Sequence, residues 1–203
     1  MKLNIGGQKG RNKGNFKGWS IVDIRKGAEF RLDIMNKNLP FKDNSVEAIY
    51  SSHTLEHIFP DKLPFVLKEW HRVLRPGAAV RIVVPDVQKA IQAYVDGDIS
   101  YLKDKRNPSK LEFLPSFPIA FLSSWFFTYK SDQDSNKRLI GGHVMAFDWD
   151  ILKHYVAACG FKEITRETYG NCRSIFTGCD FQRYRDCSLY VEATKSRTPG
   201  LKS

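Results

Sequence analysis

The chain lacks several features that would fix its class at once. It has no uninterrupted apolar stretch long enough to cross a bilayer, so no membrane span is expected. Its first 18 residues are glycine-rich and basic with no apolar segment. No signal peptide is therefore expected, and the chain reads as cytoplasmic. The four cysteines, Cys159, Cys172, Cys179 and Cys187, form no CxxC pair and none of the usual zinc spacings. They read as free thiols rather than as a disulfide framework. No internal repeat is visible, and no nucleophilic triad stands out.

What is present suits one globular unit. A chain of 203 residues with 42% hydrophobic content can bury its own core. Residues 1–195 read as a single domain and 196–203 as a flexible tail. The formal net charge of +10 points to a partner rich in negative charge. A phosphorylated or otherwise anionic small molecule fits that balance. Nucleic acid is possible but less favoured.

The chain is organised around residues 50–77. An apolar run, 46–50, leads into a polar turn, Ser51, Ser52 and His53. Leu55, Ile58, Leu63, Val66, Leu67, Trp70, Val73 and Leu74 then recur at roughly helical spacing, which predicts a helix beginning near His53. Pro76 and Gly77 read as its stop, and a β-branched run, 80–84, as the next strand. Strand, turn, helix and strand in that order build a parallel α/β sheet. Ligands of such sheets sit beyond the carboxyl ends of the strands, where Ser51 to His57 are expected, Ser52 and His53 among them.

Other strand ends carry a matching series. A short strand, 3–5, contains Asn4 and runs into Gly6 and Gly7, where backbone can approach a ligand closely. Residues 8–18 have no helical periodicity and carry Lys9, Arg11, Lys13 and Lys17. They read as a loop, either solvated or acting as a basic flap. A second strand, 19–24, ends near Asp23, and a carboxylate there can accept both hydroxyl hydrogen bonds of a ribose. A third, 29–32, is followed by Asp33. Either acid alone could be a turn residue; together, at successive strand ends, they favour a nucleoside.

His53, Glu56 and His57 share one face of the expected helix. His53 reads as a general base. Their spacing also suits a metal, but three residues on one helix make an incomplete ligand set, so none is assigned. Glu56 and His57 read as structural, with Glu56 bonding backbone donors at a helix start.

Beyond the fifth strand, Asp86 reads as the cap of a helix with Val87, Ala90, Ile91, Tyr94 and Val95 on its apolar face and Gly97 as its stop. Residues 98–142 form an insert dense in aromatics and broken by Pro115 and Pro118. It reads as a lid or a dimer surface, ahead of a membrane contact. Asp148 reads as the cap of a helix over 147–160, and 161–168 with 188–193 as a terminal strand hairpin. His143 follows Gly141 and Gly142. It reads as an acceptor-binding group or an assistant to His53; a histidine bonding a turn carbonyl is the alternative.

The motifs Leu55-Glu56-His57 and Arg72-Val73-Leu74-Arg75-Pro76-Gly77 resemble the late core of class I S-adenosylmethionine-dependent methyltransferases. With their flanks they cover roughly the first 90 residues. LNIGG, GWSIVDI, LPFKDNSVEAIYSSHTLEHI and GGH further resemble small predicted methyltransferases of bacterial surface-polysaccharide gene clusters. The resemblance implies an α/β, Rossmann-like, doubly wound and mostly parallel seven-stranded sheet, with a shortened N-terminus and an aromatic-rich insert after strand five. It implies S-adenosylmethionine as cofactor, with Asn4 in the place of an acid, Gly6 and Gly10 as the first and third turn glycines and Gln8 replacing the second. By the same resemblance Asp33 faces the adenine amino group and the N–H of Ile34 meets the ring. The cofactor site expected is Asn4, Gly6, Gly7, Gln8, Asp23, Asp33, Ile34, Ser52 and His53. The activity implied is methyl transfer, O-methylation first, to a small anionic or sugar-like acceptor by a chain that could form a homodimer. An RNA methyltransferase, or a methyltransferase-like interaction module with weak cofactor binding, are the alternatives.

Overall fold

The computed structural model describes residues 1–7, 16–104, 117–127, 132–133, 139–140 and 142–197. Gln8, Gly10 and most of the basic loop lie outside the described residues, as do much of the insert and Gly141.

Seven strands form one sheet in the order β3-β2-β1-β4-β5-β9-β8. They are β1 (Lys2–Ile5), β2 (Trp19–Asp23), β3 (Phe30–Arg31), β4 (Val46–Ser52), β5 (Leu74–Pro85), β8 (Phe161–Glu167) and β9 (Ser188–Lys195). The first five pair in parallel, and β9 runs antiparallel between β5 and β8. This is the expected α/β, mostly parallel seven-stranded architecture. A separate two-stranded ribbon pairs β6 (Asp132–Gln133) with β7 (Leu139–Ile140).

Side-chain alternation along the central strands separates two apolar layers. Ile49, Val80, Ile82, Val84, Leu189 and Val191 face one side with Leu3, Ile5 and Val22. Helices α1 (Leu63–Val73) and α5 (Trp149–Ala158) cover that side through Leu63, Leu67, Trp70, Leu152 and Val156. Ala48, Tyr50, Ala79, Val83 and Tyr190 face the other side. There Trp19, Phe176 and Cys179 close the core, so the irregular link between β8 and β9 packs where a helix usually lies.

The terminal hairpin forms as the alternation indicates, and Asp148 caps α5 by accepting the Ile151 N–H at 3.0 Å. Other local expectations are corrected. No continuous helix runs from His53: one 3-10 turn, Leu55–His57, precedes α1, which begins only at Leu63. Pro60 pushes Phe59 out of helical backbone, and Pro64 is tolerated only because it stands in the first turn of α1. Pro76 and Gly77 do not stop that helix. They lie within β5, which begins directly at Leu74.

Helix α2 (Val87–Val95) follows β5, but Asp86 gives it no side-chain cap bond. Its carboxylate instead accepts Arg166 at 3.3 Å. The buried face of α2 is also narrower than expected, with Ile91, Tyr94 and Val95 exposed. Small Ala90 and Ala93 let α4 (Pro118–Phe126) and α3 (Ile99–Asp104) pack closely through Leu102, Phe121, Leu122 and Trp125. The described part of the insert thus has its own small core.

Candidate active site

The carboxyl ends of β1, β2 and β4 meet at one edge of the sheet. Gly6 continues β1 in a left-handed turn, φ +79°, with its N–H bonded to the Val22 carbonyl at 2.8 Å. A Cβ on Gly6 would stand 1.8 Å from Thr54 Oγ1, and one on Gly7 would stand 2.5 Å from Asn4 Nδ2. Gly6 therefore requires glycine, a side chain at Gly7 would have to displace the buried Asn4 amide, and the two bring bare backbone to the strand ends. The buried Asn4 Nδ2 stands against this turn and has no hydrogen-bond partner among the described residues. An unsatisfied buried polar atom beside a glycine cradle fits a polar ligand.

Asp23 ends β2 and is buried. Its carboxylate is held by Arg25, whose Nε donates to Oδ1 at 2.8 Å and Nη2 to Oδ2 at 2.6 Å. Sequence reasoning missed Arg25, although an arginine two residues after an acid at a strand end is the visible signal. Asp33 accepts Met35 N–H at 3.1 Å and Asn36 Nδ2 at 2.9 Å. It thereby organises the turn containing Ile34.

Beyond β4 the chain makes a sharp change of direction. His53 has φ +52°, a left-handed conformation rare for a side chain of its size. Its N–H is tied to the Val83 carbonyl at 2.8 Å. The ring stacks on Tyr184 with centroids 3.6 Å apart, and Nε2 lies 2.9 Å from Ser188 Oγ. Nδ1 faces Glu56 Oε1 at 3.3 Å. Tyr184 and Ser188, distant in sequence, were not foreseen as neighbours of His53.

Glu56 does not bond the backbone donors at a helix start, which corrects the structural role expected of it. Its carboxylate is buried, and among the described residues neither oxygen makes an aligned hydrogen bond. The 3.3 Å approach of His53 is close enough for charge attraction without that alignment. His57 Nε2 stands 3.9 Å from the same oxygen. Burial raises the carboxyl pKa, but His53, then His57 and His143, overcome it and bring it down to about 2. A buried negative centre thus persists at neutral pH.

The structure brings His143 to this cluster. Val144 N–H and Met145 N–H bond the Glu56 carbonyl at 2.8 and 3.2 Å, fastening the return of the insert onto the 3-10 turn. The rings of His143 and His57 meet edge to face at 5.0 Å. His143 Nδ1 lies 3.0 Å from the Trp125 carbonyl of α4, so the carbonyl bond considered from sequence is present. Two groups emerge: Asn4, Gly6, Gly7, Asp23 and Ser52 at the strand ends, and His53, Glu56, His57 and His143 beyond β4. Asp33 and Ile34 lie after β3, at the outer edge of the sheet.

A family model described as "Methyltransferase domain" matches residues 15–82. A search of curated proteins finds no significant sequence match. Among solved structures, the chain is similar to a SAM-dependent methyltransferase from Archaeoglobus fulgidus, with TM-score 0.54 and 13% identity over 96% of this chain and 85% of that one. One from Methanosarcina mazei gives TM-score 0.52 and 18% identity over 97% and 92%. The Burkholderia thailandensis 1,6-didemethyltoxoflavin-N1-methyltransferase, solved with its substrate and S-adenosylhomocysteine, gives 0.50 and 14% over 96% and 70%. Against three other matched structures the chain spans only 46%, 50% and 54% of their length. The chain has the fold of S-adenosylmethionine-dependent methyltransferases, and its residues 15–82 match a methyltransferase domain in sequence.

Proposed function

We propose that the protein is an S-adenosylmethionine-dependent methyltransferase that O-methylates a small, anionic or sugar-like acceptor in the cytoplasm. The observation that carries this reading is the Gly6–Gly7 cradle, closed by Thr54 and Asn4 beside the buried Asp23 carboxylate. A nucleoside with an attached zwitterionic chain needs these elements: bare backbone, a hydroxyl-accepting acid and polar groups at neighbouring strand ends. The domain match over residues 15–82 supports the same activity.

S-adenosylmethionine supplies a methyl group on a sulfonium, a leaving group that needs no activation. The chain's work is to hold, align and exclude water. Gly6 and Gly7 offer backbone, Asp23 takes the ribose hydroxyls, Asp33 and Ile34 take the base, and Asn4 and Ser52 add polar groups at the neighbouring strand ends. His143 stands on the acceptor side and orients the acceptor oxygen. His53 stands beside it with Nε2 bonded to Ser188 Oγ and Nδ1 toward Glu56, stacked on Tyr184, and takes the acceptor proton by exchanging Ser188 for the acceptor oxygen. The bond from His143 to the Trp125 carbonyl joins the insert to the same side, which suits a lid over the acceptor. The net charge of +10 favours phosphorylated acceptors such as nucleotide-sugars. The resemblance to methyltransferases of polysaccharide gene clusters points the same way.

Incubation with methyl-labelled donor and a panel of sugar phosphates, nucleotide-sugars, RNA and protein tests the proposal. Label in a sugar hydroxyl is the expected result. Label in RNA alone, or no transfer to any acceptor class, overturns it.

A further inference from the structure

Glu56, His57 and His143 each present a ligand atom, and these atoms lie within 4.8 Å of one another. We propose that these three residues form a binding site for a divalent first-row transition-metal ion. Two imidazoles and one carboxylate are a ligand set that zinc and its neighbours accept.

The arrangement around the ligands supports this more than their proximity does. His57 Nδ1 lies 2.9 Å from the Gly142 carbonyl, and His143 Nδ1 lies 3.0 Å from the Trp125 carbonyl. A carbonyl can only accept, so each Nδ1 carries the proton. In that tautomer Nε2 is the nitrogen of each ring that can ligate a metal. Metal-binding histidines are held in this way, with the far N–H donated to a carbonyl or carboxylate.

Glu56 supplies the second observation. The residue is 1% exposed, and among the described residues its two carboxylate oxygens have no aligned hydrogen-bond donor. An ionised carboxylate in that setting is costly unless something positive coordinates it. His57 stands within 3.9 Å of it. The ligands also come from two segments, the 3-10 turn and the chain around 142–145. The bonds from Val144 and Met145 to the Glu56 carbonyl clamp these together. This answers the incompleteness of the HxxEH motif: the third ligand is supplied by the insert's return, and His53 buttresses Glu56 from behind. Ligands of one tetrahedral zinc sit about 3.4 Å apart, so a bound ion would draw the three inward by roughly 1 Å. Three protein ligands leave at least one coordination position open. That position would take a water or, on the methyltransferase reading above, an acceptor oxygen.

The test is calorimetric titration of the chelator-stripped, tag-free protein with Zn²⁺ alone, alongside Co²⁺ titration followed by visible absorption. One equivalent per chain is expected, with micromolar or tighter affinity and a tetrahedral-type cobalt spectrum. Glu56→Gln and His143→Ala should each weaken binding by about 100-fold or more. His154→Ala, on the exposed face of α5, should not change it. Absence of Zn²⁺ uptake by the parent protein, or unchanged affinity in both ligand variants, overturns the proposal. The cobalt spectrum of the parent protein decides the matter even if a variant fails to fold. Donor affinity measured without metal reports separately on the methyltransferase reading.

Discussion

Arg25 grips Asp23 through a two-point fork, with Nε to Oδ1 at 2.8 Å and Nη2 to Oδ2 at 2.6 Å. The backbone N–H of Arg25 adds a third bond at 2.8 Å. The acid is almost fully buried, while the guanidinium side chain is 43% exposed. A ribose at Asp23 must therefore displace this arm or share the carboxylate with it. A half-exposed pair of this kind contributes about 1 kcal/mol at most, or roughly 5-fold in affinity. Arg25→Ala should tighten donor binding by up to that factor. Weaker binding in this variant would make Arg25 part of the cofactor site rather than its competitor.

Gly6 has two reasons to be glycine, and they can be separated. Its φ of +79° costs a side chain about 1–2 kcal/mol. In addition, the new Cβ would overlap Thr54 at 1.8 Å. Gly18 has a similar φ of +76° but, among the described residues, no atom within 4 Å of the added Cβ. Gly18→Ala should lower stability by about 1 kcal/mol and leave donor affinity intact. Gly6→Ala should lower stability further and reduce donor affinity by at least roughly 10-fold. Denaturant melts and donor titrations on both variants check this; equal behaviour would remove the Thr54 contact from the account.

Arg81 lies at the centre of β5 with no exposed side-chain surface. It donates to Asp180 at 2.8 and 2.6 Å, to Glu192 at 2.8 Å and to the carbonyls of Asn171 and Thr168. These hydrogen-bond partners of its side chain all come from the far C-terminal part of the chain, so it ties the 169–187 link to the sheet. Arg81→Met would leave the buried Asp180 carboxylate without its cation and Glu192 with Arg173 alone, costing on the order of 3–5 kcal/mol. Adding Asp180→Asn and Glu192→Gln should recover part of the loss. No loss in the single variant by equilibrium unfolding would contradict the network's role.

Glu69 shows the sign of the acid response. Its hydrogen bond from Arg72 holds its carboxyl below the ordinary value of 4.5. The unfolded chain therefore binds this proton more readily than the folded one. The stability Glu69 contributes is complete above pH 4.5 and is lost as pH falls through its lowered value. Glu69→Gln should be less stable than the parent at pH 7, with the difference shrinking as the pH is taken down through that window. A difference independent of pH would assign the effect to packing.

The parts of the fold legible in the sequence were those written as periodicity and punctuation. The run 46–50, the cap at Asp148 and the terminal hairpin all form, because local pattern and tertiary packing agree there. The stretch after β4 was misread for the opposite reason. Its apolar spacing continues through Leu55 and Ile58, but His53 turns left-handed and the prolines interrupt the helix. Arg81 sits among β-branched residues, and nothing local announces that Asp180 and Glu192 will meet it. The same holds for Glu56 and His143, brought together only by the return of a long insert. Arg25 was legible and overlooked.

The central claim is that Asp23 and the Gly6 turn bind S-adenosylmethionine, and calorimetric titration of the parent protein and Asp23→Ala with this compound tests it most directly. The account predicts one site per chain in the parent and affinity reduced by about 10- to 150-fold in the variant, the loss of a charged acceptor to two hydroxyls. No binding by the parent, or equal affinity in both proteins, would contradict it.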